Sequence, residues 1–128
     1  MGRVLFFVSM GGLIGAVLRY IISGYIQQIT RSASFPFGTL TVNLLGCFII
    51  GLLSQLVESY GILSADTRAL LLPGILGGLT TFSTFGNETM NLFRGAESLL
   101  AFANIGANVI LGLGAVWAGR VLAAVTWS

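Results

Sequence analysis

The residues of this chain that could do chemistry are few and mostly uncharged. Asn43, Thr39, Thr80, Thr81, Ser83, Thr84, Asn104 and Asn108 lie within long apolar stretches. Each brings an N–H or O–H donor without a charge. Phe82 and Phe85 stand at i, i+3 and share a helical face; their ring edges carry the positive part of the aromatic quadrupole. Such a set can replace an anion's hydration shell without holding the ion so tightly that it cannot leave. A small, strongly hydrogen-bonding anion fits best. Hydrolytic chemistry does not fit. It needs a base, a nucleophile or a metal, and the sequence has no histidine, one cysteine and four carboxylates. An enzyme is not expected. Proton-coupled transport needs an ionisable group in mid-membrane. Arg19 and Glu88 are the candidates within the spans, and both lie toward span ends, while Arg120 suits an interfacial end.

The elements that position these donors follow from composition. Of 128 residues, 55% are hydrophobic and 8% charged, against a usual charged share of about 25%. This is the composition of an all-α integral membrane protein, a single membrane domain over 1–128 with no soluble domain. All six cations are arginines, and the net charge of +2 is too small and scattered for a nucleic-acid surface. Cys47, the only cysteine, excludes an intramolecular disulfide and a multi-cysteine metal site; it reads as a small packing residue. The eighteen glycines let membrane helices approach closely.

Four spans are expected, at about 4–22, 37–57, 69–91 and 98–125, each near the ~20 residues that cross a bilayer. The first runs into Arg19 without a convincing small-x-small cleavage site, so it reads as a span rather than a signal peptide. Gly11, Gly15 and the pair Gly12/Ala16 form helix-contact stripes in it. Two readings of Arg19 stand: a snorkelling side chain, or one pinned to carbonyls or drawing anions toward a pore mouth. Residues 27–37 form a polar connection, and Pro36 opens the second span. There Thr39, Asn43, Gly46 and Ile50 share a face, and the buried Asn43 amide must meet protein or water. Asn104 and Asn108, at i, i+4, begin a polar-to-small stripe in the fourth span.

The third span is expected to break near its middle. From Gly74 to Gly86 it contains Gly77-Gly78 and then Thr80, Thr81, Ser83 and Thr84. Each glycine costs about 1 kcal/mol relative to alanine in a helix, and the hydroxyls compete for backbone groups. A broken membrane helix usually marks an ion or substrate site. Arginines set membrane orientation, and with four spans they divide evenly: Arg3, Arg68 and Arg120 on one side, Arg19, Arg31 and Arg94 on the other. A chain without bias can insert both ways and pair as an antiparallel, dual-topology homodimer, the two-subunit counterpart of an inverted repeat.

Three stretches together resemble the Fluc (CrcB) fluoride channels: residues 11–20 (GGLIGAVLRY), 36–46 (PFGTLTVNLLG) and 74–85 (GILGGLTTFSTF). The resemblance implies a passive fluoride channel with two pores in an antiparallel homodimer. It implies fluoride export across the bacterial plasma (inner) membrane. By the same resemblance Asn43 donates to fluoride, Phe82 and Phe85 line its path, and Ser83, Thr84 and Thr39 extend a polar track. The backbone carbonyls of Gly77 and Thr80 would hold a structural sodium ion. Asn104, Asn108 and Glu88 receive no role. Two other classes remain: a dual-topology small multidrug exporter, whose mark is a buried glutamate in the first span that this chain lacks, and an accessory membrane subunit without transport.

Overall fold

A computed structural model describes residues 1–127, all of whose regular elements are helical. Four helices are long and apolar enough to cross a membrane: α1 (Gly2–Thr30), α2 (Phe37–Tyr60), α3 (Ala65–Arg94) and α4 (Ser98–Thr126). The 29 residues of α1 rise about 44 Å, beyond the ~30 Å of a hydrocarbon core. Gln27, Gln28 and Thr30 therefore continue the helix, and the connection shrinks to the turn after Arg31. Gln27 organises that turn. Its Nε2 donates to the carbonyls of Ser32 (2.9 Å) and Phe35 (3.0 Å), and its Oε1 accepts from the Gly38 amide (3.0 Å) at the start of α2. Gly61, at φ 59°, closes α2 in the left-handed conformation that glycine adopts freely.

Two stretches have widened turns. One covers Leu70–Leu76 around Pro73, whose missing N–H the wider spacing absorbs; the other covers Ala107–Leu111 in α4. The longest packings join α1 to the first half of α3, and α2 to the second half of α4. Glycines make them close. A Cβ on Gly11 would strike the Leu70 carbonyl oxygen, and one on Gly15 that of Ile75. Gly51 lies equally close to the Val116 carbonyl, and Gly119 to that of Phe48. Val42, Leu76 and Leu79 form the small buried core, with Ile22, Ile49, Ile50, Leu53 and Leu72 against it. Outward, large apolar side chains such as Leu13, Ile110, Leu113 and Trp117 are exposed. A protein surface in water rarely tolerates that; a lipid-facing one requires it. At the ends, Arg3 pairs with Asp66, and Arg120 clamps Glu58 at 2.9 and 3.2 Å.

Candidate functional site

The backbone of α3 leaves the helical region at Thr80 (φ −86°, ψ 155°) and Thr81 (φ −150°, ψ 121°) and resumes at Phe82. Gly77, by contrast, is helical (φ −63°, ψ −35°). Glycine's weak propensity alone does not open a helix in hydrocarbon, where unmade backbone bonds cost several kcal/mol. Gly78 instead admits the α1 backbone at Gly12. The excursion falls two residues later, where substitute partners exist. Asn43 of α2 clasps Thr81 from both sides: its Oδ1 accepts from the Thr81 N–H (2.8 Å), and its Nδ2 donates to the Thr81 carbonyl (3.2 Å). The Thr81 hydroxyl then caps the second limb, accepting from the Thr84 N–H at 3.3 Å. The Thr80 side chain bonds back to the Leu76 carbonyl (3.1 Å), and its methyl sits where a Cβ on Gly46 would go.

Asn43 also donates through Nδ2 to Asn108 Oδ1 (2.9 Å). Asn108 in turn donates to the backbone carbonyl (2.9 Å) and the Oδ1 (3.0 Å) of Asn104. Asn104, 1% exposed, donates to the Thr89 hydroxyl (2.9 Å), and Thr89 to the Phe85 carbonyl (2.8 Å). A chain of side-chain bonds thus runs from the break through α4 back to the second limb of α3. The i, i+4 spacing of Asn104 and Asn108 signals their common face, but nothing in the sequence marks Thr89 as their partner.

Three cavities meet around the break. The first is lined by Asn43, Gly77, Thr80, Thr81, Phe82, Phe85 and Asn108, with Leu72, Pro73 and Leu76. Its phenylalanine rings lie 5.3 Å apart at 61°, edge toward face. Phe85 is 7% exposed and Phe82 81%. The second is a small pocket of Arg19, Tyr20, Ser23, Thr39, Thr81 and Thr84. The third is a cleft that includes Thr39, Thr84, Glu88 and Asn91, beside Gln27 and the α1–α2 turn. Thr81 lines the first two, and Thr39 and Thr84 line the last two. The polar residues therefore form a continuous string from Asn43 to the end of the bundle carrying the α1–α2 turn. Thr39 donates to Glu88 Oε2 at 3.0 Å. Glu88 Oε1 and Arg19 Nε are buried without a hydrogen-bond partner among the described residues. Arg19 thus buries its Nε while it lines the second pocket, and Ser83 is exposed, 3.4 Å from the Thr81 hydroxyl.

The break also redirects two backbone donors. In an unbroken helix the N–H groups of Thr81 and Thr84 would bond the carbonyls of Gly77 and Thr80. Here the Thr81 N–H goes to Asn43 and the Thr84 N–H to the Thr81 hydroxyl. Both carbonyls lose their regular donors beside the first cavity, a condition that suits oxygen coordination of a hard cation.

A family model described as CrcB-like protein, Camphor Resistance (CrcB), matches residues 6–120. The Fluoride-specific ion channel FluC of Shewanella loihica is 48% identical over 118 residues, covering 92% of this chain and 94% of that protein. Its namesake in Methylobacillus flagellatus is 40% identical over 119 residues, 93% of each chain. That of Shewanella woodyi is 47% identical over 116 residues, 91% of this chain and 92% of the relative. Four membrane-length apolar helices and these relatives together define a multi-pass membrane protein, and the chain belongs to the CrcB-like family of fluoride-specific ion channels.

Proposed function

We propose that this protein is a passive, fluoride-selective channel that exports fluoride from the cytoplasm across the bacterial inner membrane. The observation that carries the reading is the helix break itself. It sets the Asn43 amide, the Phe82 and Phe85 rings and the Thr81 hydroxyl around one cavity whose polar residues are uncharged. Fluoride is small and strongly hydrated, so N–H donors and ring edges can trade places with its water while apolar walls exclude larger ions. No covalent bond is made or broken in such passage, so the reading is of a channel and not an enzyme. Purified protein in liposomes, followed with a fluoride electrode, should release fluoride down its gradient much faster than chloride. Absence of fluoride release from liposomes containing folded protein overturns the reading, and a drug exporter or an accessory subunit would then stand.

The working unit in this reading is an antiparallel homodimer with two pores. Support comes from the even division of arginines and from Phe82, which a single chain leaves exposed beside an open cavity. Adding two arginines to the loops of one side should bias insertion and lower activity. Co-expression of an oppositely biased copy should restore it. Full activity from a uniformly oriented population would refute the antiparallel dimer.

A structural sodium ion belongs to the same reading. The carbonyls of Gly77 and Thr80 from both subunits would hold it, since their regular amide donors are engaged elsewhere. Bound there, it supplies a positive charge that holds the subunits together and does not travel. Fluoride currents should therefore reverse at the fluoride equilibrium potential whatever the sodium gradient. A reversal potential that follows sodium would show coupled transport instead.

A further inference from the structure

We propose that Asn108 is a positioning residue for the anion path: it holds Asn43 so that one of its two Nδ2 hydrogens is fixed and the other is free to exchange onto the ion. The proposal rests on the fluoride-channel reading and adds to it a role for the fourth helix.

The orientation of the amides is settled from both ends. The Thr81 N–H can only donate, so the atom of Asn43 that faces it at 2.8 Å is Oδ1. The Asn104 backbone carbonyl can only accept, so the atom of Asn108 that faces it at 2.9 Å is Nδ2. Asn108 Oδ1 then faces Asn43 Nδ2 at 2.9 Å, and the two ends agree. Asn43 has spent Oδ1 on Thr81 and one hydrogen on Asn108. Its second hydrogen makes the longer bond, 3.2 Å, to the Thr81 carbonyl. That bond is the one an arriving anion displaces most readily, because the other two are shorter and the one to Asn108 is tied into the chain that continues to Thr89. Asn108 and Asn43 both line the cavity that holds Phe82 and Phe85. The widened turn that begins at Ala107 surrounds Asn108, the kind of local irregularity that often accompanies function.

Fluoride efflux from liposomes, normalised to folded protein, tests this as a double-mutant cycle. Asn108→Leu should slow efflux about tenfold in the wild-type background, the scale of one lost buried hydrogen bond. In the Asn43→Ser background, with no amide left to orient, it should slow efflux less than about twofold. Equal losses in both backgrounds, or none in the first, overturn the positioning role. Asn108→Ala serves the same cycle if the leucine variant does not fold. A second readout needs no flux: the side-chain amide protons of Asn43 in asparagine-labelled protein, titrated with fluoride. One proton should shift in the wild type and both in the Asn108 variant; equal shifts of both in the wild type overturn the proposal. Folded wild-type protein that releases no fluoride overturns the channel reading itself, whereas the cycle and the titration bear on Asn108 alone.

Discussion

Phe82→Ile and Phe85→Ile are each expected to abolish most fluoride efflux while the protein still folds. Isoleucine keeps an apolar wall and removes the positive ring edge. If the phenylalanines were only packing, the exchange would cost about 1–3 kcal/mol of stability and leave transport per folded protein unchanged. The two positions separate the effects. Phe82 is 81% exposed, so its replacement barely touches the chain's own core. Phe85 is buried, so some stability should go with its ring. Asn43→Asp should also block. A carboxylate repels the anion and presents no N–H to the Thr81 carbonyl or to Asn108. Asn43→Ser should keep part of the flux, because a donor remains. Efflux from liposomes, normalised to folded protein, decides. If both isoleucine variants run at the wild-type rate, the path lies elsewhere, along Asn104 and Asn108.

The second large effect is on folding. Gly15→Ala should destabilise the protein by about 3 kcal/mol, the upper end for overpacking. The added methyl would meet the backbone of Ile75 and Leu79 rather than a flexible side-chain end. Either α1 withdraws or α3 shifts, and α3 carries Thr80 and Thr81 only a few residues further on. Gly114→Ala is the control: nothing lies within 4 Å of its Cβ position, and alanine gains about 1 kcal/mol in helix propensity. Thermal unfolding in detergent should show a clear drop for Gly15→Ala and none for Gly114→Ala. A Gly15→Ala protein that melts with the wild type would mean that the α1–α3 contact has room to spare.

The four spans could be read from the sequence because their signal is local: apolar runs of membrane length with polar breaks between them. The glycine stripe of α1 was equally readable, since Gly11 and Gly15 recur at helical spacing. The exact place where α3 opens was not. Gly77-Gly78 is the weakest helical pair, but the opening depends on Asn43, 38 positions away, which supplies both a donor and an acceptor to Thr81. Asn104 and Asn108 announced a shared face without announcing what it meets, because periodicity reports one helix at a time. Thr89 and the Thr39–Glu88 bond lay beyond reach for the same reason. Gln27 looked like part of a polar connection; its role as the post around which that turn is wound needs the turn's three-dimensional path.

The alternate pairing of helices has a consequence for how the chain is made. α1 packs mainly on α3, and α2 mainly on α4. During synthesis α1 and α2 thus enter the bilayer before the helices they will press against. While α4 is still on the ribosome, Gly51 and Phe48 face lipid where Val116 and Gly119 will later sit, and Asn43 lacks Asn108. A messenger cut short before the fourth helix would leave an open groove and an amide short of a partner in hydrocarbon, an expensive arrangement. The fourth helix is therefore the part that turns a set of inserted helices into a closed bundle.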